Sequence, residues 1–194
     1  MIIRKKYKFE AAHIVRNCST ERCSKTIHGH SYIVEIFLKS TKLDDADMVL
    51  DFGLMYRIKE FIDMFDHAYL LWDKEDPKFH KFINGNCKRV ITLPFSPTAE
   101  RLAIFFHYWT NRILNKTQFA NGEGVIEVHS VRVHETETGY AETERNVDSR
   151  FMTEVYCDFV CNIREAPKWI GSLLDDRWPN KKWENKTPEK QIKN

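Results

Sequence analysis

Apolar residues recur along this chain with two different periods, and each change of period marks an element. Over residues 2–13, Ile3, Tyr7, Phe9, Ala11 and His13 share one parity. That is the period-two pattern of a half-buried strand, here ending at a histidine. Residues 14–27 form a polar loop, and alternation resumes over 28–39 with His28, His30, Tyr32, Val34, Ile36 and Leu38 on one side. After a polar turn at 41–47, Leu54, Ile58, Phe61, Ile62 and Phe65 recur at helical spacing. This predicts an amphipathic helix over 52–65 with Asp51 as its N-cap. Residues 73–95 read as an irregular excursion. Ser96 and Pro97 read as N-cap and first position of a second helix, buried through Leu102, Phe105, Phe106, Trp109 and Ile113. Asn121-Gly122-Glu123-Gly124 is a break. Residues 125–135 then alternate as a third strand, and a Thr138-Gly139 turn leads to a fourth over 139–145.

The order ββααββ predicts an α+β fold, an antiparallel sheet with two helices packed on one face. One domain should span residues 1–147. Residues 148–194 read as a C-terminal extension, not an independent domain. Its first part keeps apolar residues, including Phe151, Val155, Phe159, Val160, Trp169, Leu173 and Leu174. Residues 178–194 are rich in Lys, Asn and Pro. They read as a mobile solvated tail, the alternative being a packed extension anchored by Trp178 and Trp183.

Bulk composition narrows the class. At 194 residues, 42% hydrophobic and 30% charged, the chain is globular and can build a real core. A formal charge of +2 is too small to favour nucleic acid or an anionic membrane as partner. The five cysteines, Cys18, Cys23, Cys87, Cys157 and Cys161, make no even disulfide framework. The opening run Met1-Ile2-Ile3-Arg4-Lys5-Lys6 turns charged at once, unlike a secretory signal. The thiols therefore read as reduced and the protein as cytoplasmic. No apolar run approaches membrane-spanning length.

Candidate chemistry centres on His28-Gly29-His30. Histidines at i and i+2 on a strand point to one face, and His13 ends a neighbouring strand. Three imidazoles with an open position make a catalytic zinc arrangement, since structural zinc is usually closed by four protein ligands. Cys23, just upstream and between Arg22 and Lys25, is either a base or nucleophile with a depressed pKa, a fourth zinc ligand, or an inert thiol. Cys18 is the fallback for the same role. In Asp66-His67 a carboxylate beside an imidazole can fix its tautomer for proton transfer. Thr98 and Glu100 open the second helix, where free backbone donors favour anions, although both can be ordinary cap residues. Glu135 shares the parity of Val131 and Val133. A carboxylate on such an apolar face needs a partner, either an N–H pair of a pterin or guanine ring or a local arginine. His134 should point to the opposite face. His80, His107 and His129 lack company and read as surface or core residues.

Six segments in order resemble the 6-pyruvoyl-tetrahydropterin synthase and 6-carboxytetrahydropterin synthase family. They are Phe9-Glu10-Ala11-Ala12-His13, His28-Gly29-His30-Ser31-Tyr32, Met48-Val49-Leu50-Asp51-Phe52, Phe65-Asp66-His67 with Leu70, Pro97-Thr98-Ala99-Glu100, and Val133-His134-Glu135-Thr136. Together they cover roughly residues 5–145. The resemblance implies a tunnelling fold, in which sheets from several subunits join into a barrel with active sites at the interfaces of a homohexamer. It implies that His13, His28 and His30 bind Zn2+, that Cys23, Asp66 and His67 are the catalytic proton-transfer set, and that Glu135 anchors a pterin substrate with Thr98 assisting. The implied activity is that of a carbon–carbon lyase, a 6-carboxytetrahydropterin synthase. It would convert 7,8-dihydroneopterin triphosphate, releasing acetaldehyde and triphosphate, on the way to queuosine. The pyruvoyl-forming reaction is the near alternative. A non-catalytic zinc-stabilised assembly module, with Cys23 closing the metal site, is the alternative of another class. Four residues separate Cys23 from His28, a spacing between those of the two branches. The 73–95 excursion is longer than the family pattern.

Overall fold

The protein is described from a computed structural model, which covers residues 1–144, 160–162, 167–171 and 183–184. Strand β1 (Ile2–His13) pairs antiparallel with β2 (His28–Ser40), in a register running from Ile2 opposite Lys39 to His13 opposite His28. The chain passes from β1 to β2 through α1 (Glu21–Ser24), a single turn inside the loop read as purely polar. Next comes a 3-10 turn (Phe52–Met55) leading into α2 (Tyr56–Asp63). Asp51 caps the turn as expected, its carboxylate accepting from the Gly53 N–H at 2.7 Å.

The 73–95 region is ordered, which corrects the reading of an irregular excursion. Strand β3 (Ala68–Trp72), helix α3 (Pro77–Asn86) and strand β4 (Val90–Leu93) form a parallel crossover unit. Because β3 also lies parallel to β1, the sheet is mixed and not purely antiparallel. The sequence shows no alternation here because β3 is buried on both faces, and such strands read as unbroken apolar runs. Ala68 and Leu70 join the main core. Tyr69 and Leu71 join a second cluster with Ile83 and Val90. Helix α3 thus covers the sheet face opposite α2. It starts at Pro77, and the Asp76 side chain accepts from the N–H groups of Lys78 and Phe79.

Helix α4 (Ala99–Lys116) is the second helix read from sequence, but its cap lies later than expected. Thr98 is extended at ψ 160°, and its hydroxyl accepts from the Arg101 N–H at 3.3 Å. Thr98, not Ser96, is therefore the N-cap. After α4 come β5 (Thr117–Gln118), β6 (Ile126–Thr136) and β7 (Gly139–Glu144). The register of β6 shifts between Phe37 and Leu38 of β2, so His129 is an extra residue between Val128 and Ser130. This bulge keeps Val128, Val131 and Val133 all on the core side.

Among the described residues, three pieces of the extension meet the rest of the chain. Strand β8 (Val160–Asn162) pairs antiparallel with β4, giving the sheet order β7-β6-β2-β1-β3-β4-β8. Strand β9 (Trp183–Glu184) pairs with β5, so this part of the predicted tail is backbone-paired. Trp169 Nε1 donates to Glu60 Oε2 at 2.7 Å. Phe151, Val155, Phe159, Leu173, Leu174 and Trp178 lie outside the described residues. No helix among the described residues is long and apolar enough to cross a membrane.

Aromatic rings lock α2 and α4 onto the sheet. Phe9 stacks on Tyr32 at 4.9 Å, and Phe65 meets Phe106 edge-on at 4.9 Å. Each such buried ring contributes about 1.5–3 kcal/mol by burial. His107 lies among them on α4, its Nε2 without a hydrogen-bond partner. Burial pushes its pKa down to about 4. A histidine depressed in the folded state contributes stability that is fully present above its unfolded value near 6.5 and is lost as pH falls toward 4. Thermal unfolding should therefore shift downward across that window. His107→Leu should make this acid limb shallower, leaving only what the other buried histidines add. An unchanged limb in a Tm-against-pH series would show that His107 is not its source.

Candidate active site

The register of β1 against β2 sets the geometry. Pairing His13 with His28 and Ala11 with His30 brings three imidazoles to one sheet face. One nitrogen from each ring lies within 4.8 Å of the others. Gly29 allows the strands this approach, since a Cβ there would sit 3.2 Å from the Ala11 carbonyl oxygen. His13 is fully buried, His28 and His30 partly so.

Hydrogen bonds choose the tautomers. His13 Nδ1 lies 2.7 Å from the Pro97 carbonyl oxygen, and His28 Nδ1 lies 2.9 Å from that of Thr26. A carbonyl only accepts, so both Nδ1 atoms carry the hydrogen. The two Nε2 lone pairs then face each other at 3.1 Å. That contact is repulsive by itself and favourable around a cation. Divalent ions held by imidazoles at about 2.0–2.1 Å keep ligand nitrogens roughly 3.3 Å apart, so the donor set fits a metal ion. Two of the rings, His13 and His30, are also held toward the neutral form that ligands must have. Burial pushes His13 down to about 4, against the Pro97 hydrogen bond and with help from His28 and His30. His30 is lowered by burial too, despite the Glu135 charge.

Glu135 faces this group. Its Oε1 lies 3.4 Å from His13 Nε2 and 3.8 Å from His30 Nε2. The Tyr32 hydroxyl donates to the same oxygen at 3.3 Å. Burial, then the Glu135 charge, raises the Tyr32 pKa far above normal, so the hydroxyl stays a donor. Among the described residues the partners of Glu135 are thus Tyr32 and the imidazoles, not an arginine. A register irregularity between His134 and Thr136 places Glu135 at a bulge that aims it inward. His134 points the other way, as expected, with Nε2 3.3 Å from the buried Glu35 carboxylate.

Asp66 and His67 sit at the corner between α2 and β3, clamped to Glu10 of β1. The Glu10 N–H donates to Asp66 Oδ1 at 2.9 Å, and the His67 N–H donates to the Glu10 carbonyl at 2.6 Å. Arg89 Nε donates to the Asp66 carbonyl at 2.8 Å. These bonds hold His67 at φ 57°, a left-handed conformation costly for a residue with a Cβ. His67 Nδ1 bonds Asp66 Oδ2 at 2.9 Å, leaving Nε2 free on a ring that is 75% exposed. Partial burial pushes the Asp66 carboxyl up, but the Glu10 N–H, His67 and Arg89 outweigh it, and its pKa lies below the usual carboxylate value.

A cavity of about 830 Å³ lies between this corner and α3, lined by His67, Glu10, Gly29, Ser31 and Tyr69 among others, on the sheet face opposite the three imidazole rings. Cys23 is half-buried on α1, held by Val15 N–H donation to its carbonyl at 3.0 Å. It does not belong to the ligating group, which among the described residues is His13, His28 and His30. Cys18 lies nearby. Desolvation pushes its thiol up, but hydrogen bonds with Thr20 and Ser24 together outweigh it and lower its pKa. Thr98 is half-buried with its hydroxyl engaged as the α4 cap, one residue past the Pro97 carbonyl that orients His13. Glu100 is exposed. The roles of Tyr32 and Pro97 leave no signal in the sequence. Tyr32 shares the parity of His30, but only the fold shows what its hydroxyl meets.

Residues 2–146 match the family described as 6-pyruvoyl tetrahydropterin synthase. The chain belongs to the 6-pyruvoyl tetrahydropterin synthase family. A relative from Helicobacter pylori strain J99, named 6-carboxy-5,6,7,8-tetrahydropterin synthase, is 51% identical over 144 residues, covering 74% of this chain and 72% of the relative. Among solved structures, an uncharacterized protein of Wolinella succinogenes has TM-score 0.58 and 22% identity, over 75% of this chain and 98% of that one. The 6-pyruvoyl tetrahydropterin synthase of Caenorhabditis elegans has TM-score 0.51 and 19% identity, over 74% and 94%. These two likenesses show the shared tunnelling fold. Membership of this pterin synthase family makes the chain an enzyme.

In this family member, His28→Ala and His30→Ala should each abolish stoichiometric metal binding, read by elemental analysis of purified protein. Full retention in either variant would refute the three-imidazole site. Cys23→Ala should keep the metal, because Cys23 lies outside the ligating group.

Proposed function

We propose that this protein is a zinc-dependent lyase that converts 7,8-dihydroneopterin triphosphate to 6-carboxytetrahydropterin, releasing acetaldehyde and triphosphate, in the route to 7-deazaguanine and queuosine. The observation that carries the carboxy-forming reading is the 51% identity to a relative of that name, against 19% to the nematode pyruvoyl-forming enzyme. The working form is a homohexamer with sites at subunit interfaces, in a reducing cytoplasm where the described free thiols persist.

Each role rests on the chemistry of this chain. Zinc on His13, His28 and His30 would supply a positive charge that makes side-chain hydroxyls of the substrate easier to deprotonate. Cys23 would act as thiolate base toward a side-chain proton, with Cys18, whose pKa is lowered, as the fallback. Asp66 fixes the His67 tautomer, so the exposed Nε2 can take or give a proton. The Glu135 carboxylate, held by Tyr32, can accept from N–H or O–H groups of the pterin, and Thr98, next to the Pro97 carbonyl that orients His13, would assist.

Incubation with dihydroneopterin triphosphate, with identification of the pterin formed, should give the 6-carboxy product with acetaldehyde. A pyruvoyl product without acetaldehyde would overturn the choice of branch. Cys23→Ala should lose turnover by roughly 10²-fold or more, the usual size for loss of a general base, while zinc and oligomer survive. Loss of zinc together with unfolding would instead support the structural-module reading. Glu135→Gln should chiefly raise KM. Unchanged affinity would make Glu135 a structural partner of Tyr32.

A further inference from the structure

The loop that carries Cys23 hangs between two histidine-bearing strand ends. His13 closes β1, and His28 opens β2 opposite it. The helical element of this loop, α1, has four residues, and none of them is buried. A first helical turn is costly to form, since it fixes several residues for one hydrogen bond. It also leaves its last carbonyls without helical partners. Contacts from outside must therefore hold it. The Val15 N–H donates to the Cys23 carbonyl at 3.0 Å. Arg16 Nη1 donates to the Ser24 carbonyl at 2.8 Å. His28 Nδ1 donates to the Thr26 carbonyl at 2.9 Å. Arg16 extends this anchorage to a distant segment. Its Nε and Nη2 donate to the two carboxylate oxygens of Glu75, at 2.6 and 3.0 Å, across 59 positions of sequence. Glu75 is itself well placed. It lies in the connection from β3 to α3, where its N–H donates to the Trp72 carbonyl at 3.2 Å and the next residue, Asp76, caps α3. The Glu75 carboxylate is buried, and the Arg16 guanidinium also lies over the Phe79 ring, 5.4 Å from its centroid.

We infer that Arg16, clamped by Glu75, is a positioning residue for the Cys23 thiol. This rests on the reading of Cys23 as the thiolate base above. A guanidinium is planar and holds its N–H groups in a fixed fork, so two bonds to Glu75 set the direction of the third. That third bond ends on Ser24, the neighbour of Cys23 in the chain. A lysine carries the same charge but has no such fork, so it cannot hold both partners in one geometry. Through Glu75 the segment 73–95 thereby braces the turn whose thiol acts in the reaction. Bracing matters because displacing a reacting group by about 1 Å can cost on the order of 10²-fold in rate.

Two substitutions break the brace from opposite ends, Arg16→Lys and Glu75→Gln. The rate at which iodoacetamide alkylates Cys23, followed by mass spectrometry of its peptide, needs no turnover. It therefore reads the turn separately from the reaction. Each substitution should raise that rate severalfold, while the half-buried Cys87 outside the loop keeps its own rate. Arg16→Lys keeps the charge, so a raised rate there reports geometry and not the electrostatics of the thiol. With dihydroneopterin triphosphate, kcat should fall roughly tenfold or more while KM and bound metal stay the same. The double variant should be no worse than either single one, because each removes the same interaction. An unchanged or lowered Cys23 rate, an equal rise at Cys87, or a raised Cys23 rate with unchanged kcat overturns the inference. If the wild type forms no pterin product but Cys23 reactivity still depends on Arg16 and Glu75, the positioning stands and the reaction assignment falls.

Discussion

The candidate site depends on the pairing register of two strands. His13 opposite His28 and Ala11 opposite His30 is the arrangement that gathers three imidazoles on the core face. Because side chains alternate, a slip of β2 by one residue would put His28 and His30 on the face opposite His13. The register is held by the apolar residues further along the same strands. Phe9, Tyr32, Val34, Ile36 and Leu38 are fully or almost fully buried, and such a slip would expose the four from β2. Folding energy and metal-site geometry are therefore secured by the same hydrogen-bonded ladder.

Around this ladder the second layer of interactions is long-range. The Pro97 carbonyl, 84 positions from His13, fixes its tautomer. Tyr32 bridges His13 and Glu135, which come from three different strands. Buried neutral histidines against a tyrosine that keeps its proton leave one charge, on Glu135, facing the metal-ligating nitrogens. A cation there would satisfy both the carboxylate and the opposed lone pairs, and would let a mostly apolar interior tolerate so polar a cluster.

The parallel unit β3-α3-β4 gives the site its asymmetry. Helices α2 and α4 cover the face that carries the imidazoles, and α3 covers part of the other face. The Asp66-His67 corner lies where the chain enters β3, clamped to Glu10 through backbone bonds that hold a strained conformation. This rigid corner holds His67 in a strained conformation and leaves its ring exposed, as the proposed proton-transfer role requires.

Much of this was legible in the residues themselves. The four antiparallel strands, helices α2 and α4, and the shared face of His28, His30 and Tyr32 can be read from periodicity, because one-sided burial imprints period two or 3.6 on the chain. The pairing of Asp66 with His67 is a local hydrogen bond, and it too could be anticipated. Strands β3 and β4 could not be read, since burial on both faces erases the alternation. The cap at Thr98 instead of Ser96 turned on one hydroxyl reaching one N–H. The partners of Glu135, the exclusion of Cys23 from the ligating group and the tie from Arg16 to Glu75 were decided only by tertiary structure. Each depends on distances between segments far apart in the chain, and periodicity reports which way a side chain faces, never what it meets there.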